Sequence, residues 1–159
     1  AASREPGAAT LRSSIRNAGH SYTTAGGAGG DLEDPARFSE YAIQVTTLDA
    51  VVHEEVHLLK MDTQGHELRA LQGAGRLLSE GLLRRIAFEF SPYLMRNVGD
   101  ARPEDLLELL QGHGYVIRGD PGPEDEVPPE RFGALVRRLN HSRDVRGRWT
   151  DLWAERRAV

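Results

Sequence analysis

Cysteine is absent from these 159 residues, which excludes disulfides and thiolate metal centres but leaves the compartment open. No apolar run approaches the roughly 20 residues that span a bilayer, and no signal-peptide pattern opens the sequence. The expectation is a chain without a membrane segment, with the cytoplasm as the default location. An excess of basic charge is missing too. Twenty Lys and Arg against 24 Asp and Glu leave a formal net charge of -4, so no global positive field gathers nucleic acid or anionic lipid. Lysine has almost vanished, with Lys60 alone beside nineteen arginines. Aromatic residues make up only 6%, and those of the Arg-rich C-terminal stretch lack the interleaving that stacks bases. What remains is 39% hydrophobic residues over a length typical of one domain, enough for a single core spanning residues 1–159. Nothing in the sequence fixes an oligomeric state.

Composition divides the chain into four parts. Residues 1–40 are rich in Gly, Ala, Ser and Arg, with weak strand signals at Ala9 to Ile15 and near Tyr22, and read as a poorly packed strand and loop region. Residues 41–118 read as an α/β core. Within it Tyr41 to Leu48 is a strand, Thr47 to Val52 opens a short helix, and Ile86 to Phe90 is a central strand closed by Ser91-Pro92. Pro103 at a first turn, Glu104 and Asp105 behind it, and Leu106, Leu107, Leu109 and Leu110 predict a helix ending at Gly112 or Gly114, before a strand from Tyr115 to Arg118. Residues 119–130 hold four prolines and five acids and predict an acidic loop, either a solvated spacer or a lid. Residues 131–159 carry eight arginines against three acids, and Phe132, Leu135, Val136 and Leu139 at helical spacing predict a docking helix.

Chemistry concentrates in His57-Leu-Leu-Lys-Met-Asp-Thr-Gln-Gly-His-Glu-Leu-Arg-Ala-Leu71. Leu58, Leu59 and Met61 ask for burial on both sides, as strands of a parallel sheet do, and ligands of open α/β sheets collect at the carboxyl ends of such strands. Asp62 falls at that end. Gly65 permits a sharp turn, and Leu68, Leu71, Gly75 and Leu78 predict one amphipathic helix beyond it. Lys60 lies two residues from Asp62 on the same strand face. It is a snorkelling side chain, an ion-pair partner of Asp62, or part of a site.

The segment Lys60-Met-Asp-Thr-Gln-Gly-His-Glu67 is preceded by Val45-Thr-Thr-Leu-Asp49 and followed by Leu71-Gln-Gly-Ala74, Ile86-Ala-Phe-Glu89 and Gly114-Tyr115. In order and spacing this set resembles the FkbM-type methyltransferases over about residues 1–118. The resemblance implies a partial class I methyltransferase domain, a Rossmann-like sheet with flanking helices. It further implies S-adenosylmethionine as cofactor, and methyl transfer to the hydroxyl of a sugar or another small molecule. The family's glycine turn for the cofactor, "DVGANxG", has no counterpart, and Ala1 to Leu11 resembles a segment that follows the family's third strand. The expectation is therefore a C-terminal portion of the domain whose cofactor-binding residues remain unassigned. On this reading Asp62 acts as base or metal ligand near the acceptor oxygen, with Glu89 at the next strand end as its partner. His66 and Glu67 are second choices, Glu67 being equally a helix-dipole stabiliser and Glu89 equally a buried strand end. Gln64 and Lys60 would hydrogen-bond the acceptor. No metal site is assigned, and whether a divalent metal assists stays open.

Three other features compete for attention. Gly26-Gly-Ala-Gly-Gly30 lacks the strand before it and the helix after it that a phosphate-cradling loop needs, and reads as a surface loop. His53-Glu-Glu-Val-His57 fits H-E-x-x-H, which on a helix would hold Zn²⁺ between His53 and His57 with Glu54 as base; a strand over residues 57–62 takes His57 off that helix. Asn140-His-Ser142 is a glycosylation sequon, usable only in a secreted protein. A methyltransferase-like domain with a non-catalytic, interaction-type role is the remaining alternative.

Overall fold

The computed structural model describes residues 1–15, the backbone of 21–24, and residues 38–120, 122, 124–142 and 148–156; the Gly26 to Gly30 loop lies outside them. The chain opens with β1 (Gly7–Ser14), β2 (Ser21–Thr24) and β3 (Phe38–Val45), an antiparallel sheet of order β2-β1-β3. Its side chains are half-buried or exposed wherever described, and none joins the core, as expected from so many small and polar residues. There follow α1 (Leu48–Val51), β4 (Val56–Met61), α2 (Glu67–Gln72), α3 (Gly75–Ser79), β5 (Leu83–Phe90), α4 (Pro92–Asn97), α5 (Pro103–Gly112), β6 (Tyr115–Arg118), α6 (Pro129–Asn140) and β7 (Thr150–Arg156).

The second sheet has the order β4-β5-β7-β6. Strands β4 and β5 are parallel, and β7 runs antiparallel to both β5 and β6. Side chains alternate across it. Met61, Ile86, Phe88, Phe90, Leu152, Ala154, Tyr115 and Ile117 are buried on one face, against Leu71 and Leu77 of α2 and α3, Leu106 and Leu110 of α5, and Phe132 and Leu139 of α6. The other face carries Leu58, 60% exposed, Trp153, 41% exposed, and the charged Lys60, Arg85 and Asp151. The β4 edge pairs with no further strand among the described residues.

Several expectations need correction. The C-terminal segment is a helix only to Asn140; Thr150–Arg156 is a strand filling the gap between β5 and β6. Leu152 and Ala154 point into the core there, a two-residue alternation hidden between charged neighbours. The single helix over Leu68 to Leu78 is two short ones. The break falls at Gly73, where a Cβ would run into the Ser3 carbonyl, and the Asp49 carboxylate restarts the helix by accepting from the Arg76 and Leu77 amides at 2.8 and 3.0 Å. Ser91-Pro92 does not merely close β5. Ser91 caps α4 by accepting from the Leu94 amide, and Pro92 occupies the first turn, where a missing N–H costs nothing. The acidic segment is tied down rather than a free spacer. Arg118 donates to the Glu124 carbonyl and to Glu126, the Val127 amide donates to the Ile117 carbonyl, and buried Asp120 pairs with Arg131 and Arg138 of α6.

Candidate active site

The carboxyl ends of β4 and β5 bring most of the expected residues together. Met61 pairs with Phe88 across the parallel ladder, so Asp62 follows beside Glu89. Asp62 is exposed, and its Oδ1 accepts from Gln64 Nε2 at 2.7 Å. The chain then reverses through Gln64 and Gly65 at φ 52° and 100°. Gly65 answers two demands at once. Its backbone is left-handed, and a Cβ would sit 2.6 Å from the Leu94 carbonyl oxygen of α4, while the Gly65 carbonyl lies against Gly99 on its other side. The turn is wedged onto α4 and leaves no hollow under it.

Glu67 and His66 turn inward. Glu67 is 2% exposed, and its Oε1 accepts from the Thr63 and Gly65 amides at 3.0 and 3.4 Å, so the carboxylate clasps the turn from beneath. His66 is buried at the N-terminal cap of α2, without a side-chain capping bond. Lys60 donates to the Met61 carbonyl at 3.3 Å and forms no ion pair with Asp62. Its charge is nonetheless felt at Glu89. Burial pushes the Glu89 carboxyl above the usual range, Asp62, Glu67 and Asp151 push it further, and Lys60 opposes them.

Asp151 is the acid the sequence reading missed. It pairs with Glu89 across β5 and β7, on the open face with Lys60 and Asp62. The alternation of Asp151, Trp153 and Glu155 with Leu152 and Ala154 was the available signal. Thr63 was missed as well; its hydroxyl oxygen is buried with no hydrogen-bond partner.

The H-E-x-x-H reading does not survive the fold. His53 lies in the loop after α1 and His57 is exposed on β4, so the two imidazoles share no helix face. Among the described residues no group of three or more His, Asp or Glu side chains gathers as a metal site.

Two other motifs prove architectural. Asp49 of the Thr-Leu-Asp segment reaches 27 or 28 residues ahead to cap α3. Gly114, at φ 82°, turns the chain into β6 so that the buried Tyr115 hydroxyl donates to the Leu83 carbonyl at 2.6 Å.

A mixed sheet with one antiparallel strand set between parallel ones, helices on one face, and carboxylates at strand ends define a partial Rossmann-like fold of the methyltransferase class. Residues 7–117 match the family model described as the Methyltransferase FkbM domain, and the chain belongs to that family. No curated protein and no solved structure matches it. No helix among the described residues is long and apolar enough to cross a membrane.

Methyltransferases of this family generally use S-adenosylmethionine. The described residues offer carboxylates where a sulfonium cation would be welcome, but they form no cradle for a nucleoside. Gly65 is filled by Leu94, Gly81 by the Arg156 guanidinium and Gly119 by the Asp151 carbonyl. They therefore do not fit the whole cofactor, and the chemistry derived below concerns the chain's own groups.

Proposed function

We propose that this chain carries the acceptor side of an O-methyltransferase, with Glu89 as the group that removes the proton from a small-molecule hydroxyl. The observation that carries the reading is a partly buried carboxyl of raised proton affinity at a parallel-strand end, with Asp62 beside it. An alcohol must shed its proton as it attacks an electrophilic methyl carbon, and a carboxylate made more basic by burial and by neighbouring negative charge is a better acceptor for it. Asp62, held by Gln64, is exposed and oriented to hydrogen-bond the same hydroxyl; Lys60 supplies a donor from the strand face. Glu67 contributes by keeping the turn in shape. Proximity and alignment then carry the larger share of the rate.

The test is formation of S-adenosylhomocysteine from S-adenosylmethionine in the presence of a panel of simple alcohols and glycosides. Glu89→Gln should lower kcat by about 10² or more with little change in KM, the size of a general-base contribution. A fully active Glu89→Gln variant removes Glu89 from the chemistry. A second reading, a non-catalytic interaction domain, draws on the open β4 edge and on Leu58 and Trp153 beside it, since an unpaired strand is a template for another chain. Calorimetric titration with the same alcohols and glycosides separates the two: binding that is weakened in Asp62→Ala favours the acceptor side of an enzyme, and its absence from a folded sample favours the interaction domain.

A further inference from the structure

Past the carboxylates, the same end of the sheet carries a group of aromatic and cationic side chains that the proton chemistry does not use. β5 runs through Glu89 and Phe90 into Ser91 and α4, which places Tyr93 in the first turn of that helix, 40% exposed. β7 begins opposite: Thr150 pairs with Phe90 and Asp151 with Glu89, so Trp149, one residue earlier, emerges beside Ser91, 42% exposed. Arg148 joins them. Its guanidinium carbon stands 5.9 Å from the centre of the Tyr93 ring, and its Nε donates to the Ser142 carbonyl at 3.4 Å. A cation held over one face of Tyr93 stiffens that ring.

Two large rings, each about two-fifths exposed, thus stand at the end of the sheet that carries the carboxylates. Tyr and Trp present wide apolar area at low entropic cost, and they stack on flat partners while hydrogen-bond acceptors nearby take the partner's hydroxyls. We propose that Tyr93 and Trp149, braced by Arg148, are the stacking platform of the acceptor site, and that the acceptor is a flat-faced ring bearing hydroxyl groups. This rests on the reading of Asp62 and Glu89 as the place where the acceptor hydroxyl lies. An open-chain alcohol would satisfy the carboxylates but leave the rings uncovered. A ring laid on Tyr93 and Trp149 directs an edge hydroxyl along β5 toward Glu89. Two sources share this chemistry, a pyranose with an apolar C–H face and a phenol.

The chain holds only two tryptophans, Trp149 and Trp153, so their indole N–H resonances give a direct readout. Trp153 sits in mid-strand, paired with Ala87, and lines a hollow with Lys60 and Asp151, so it reports on the acid end of the site while Trp149 reports on the rings. The ¹⁵N-labelled full chain is titrated with methyl β-D-glucopyranoside, with catechol, and with sorbitol as the open-chain control. The expected result is a saturable shift of the Trp149 resonance with one of the two ring compounds, larger than that of Trp153, and a much weaker Trp149 response to sorbitol. Saturation-transfer measurements on Tyr93→Ala and Trp149→Ala should show binding weakened by about tenfold, the equivalent of one lost stacking contact. Tyr93→Phe should retain it. An unperturbed Trp153 resonance certifies that the alanine variants are folded. Equal response to sorbitol, no saturable shift with either ring, or full binding by Trp149→Ala overturns the platform. The ring-binding assay needs no turnover, so a Glu89→Gln variant that binds the ring and transfers methyl groups as fast as the parent would sink the catalytic reading of Glu89 and leave the platform standing.

Discussion

Asp49→Ala is the substitution whose cost follows most directly from the geometry. The residue before α3 is Ala74, which has no side-chain oxygen, and the amides of Arg76 and Leu77 are served instead by Oδ2 and Oδ1 of Asp49 at 2.8 and 3.0 Å. Loss of a helix cap costs about 1 kcal/mol, and an amide bonded to a charged acceptor in a half-buried place is worth about 1.5–3 kcal/mol. Water reaches the amides once the carboxylate is gone, so a total of about 2 kcal/mol is the reasonable middle, against the 5–15 kcal/mol that holds a typical domain together. For a chain of this length that lowers Tm by about 4–8 °C. Urea unfolding followed by far-UV circular dichroism should show a lower midpoint at unchanged m, because the surface exposed on unfolding is the same. Asp49→Asn, which keeps one acceptor oxygen, should recover about half of the loss. A midpoint for Asp49→Ala within error of the parent would mean that water caps α3 equally well.

Gly65→Ala adds a Cβ at φ 100° against the Leu94 carbonyl, and should cost about 3 kcal/mol or more, read as the same midpoint shift; a near-neutral result would show that α4 gives way easily. The Glu89 carboxyl has a raised pKa in the fold, so the native state binds the extra proton. Stability from this group is complete below the unfolded value and is lost as pH rises through the raised one. Glu89→Gln should therefore flatten the stability profile just above pH 4.5 and exceed the parent in stability at higher pH; identical profiles would show that the carboxyl is not perturbed.

The parts of the fold legible in the sequence were those with dense, uninterrupted signals. The strand into Asp62, the strand Ile86 to Phe90, and the α5–β6 unit with Pro103 at its start and Gly114 at its turn all stand where pattern and propensity agree. β7 was hidden because Thr150–Arg156 offers only Leu152 and Ala154 as inward residues, set among charges that also suit a helix surface. The break between α2 and α3 was invisible for a different reason. It depends on Ser3 and Asp49, both far away in the chain, and no local window contains them. Likewise Asp62, Glu67 and Glu89 read alike as acids near strand ends. Only the fold separates an exposed carboxylate, one that clasps a turn and one whose proton is held more tightly.

The position of β7 also bears on how the molecule is made. β5 and β6 share no backbone ladder; both are hydrogen-bonded to β7, whose last residue, Arg156, lies 38 residues beyond the end of β6. At about 5–20 residues per second, β6 therefore waits roughly 2–8 s during synthesis without its β7 ladder, bridged on its other side only through Arg118 and Glu126. Tyr115 can reach the Leu83 carbonyl early, but Ile117 acquires its β7 neighbour, Ala154, only once β7 has been made. A nascent chain halted before Thr150 should be a target for chaperones, whereas one extended past Arg156 can snap its sheet shut in a single late step.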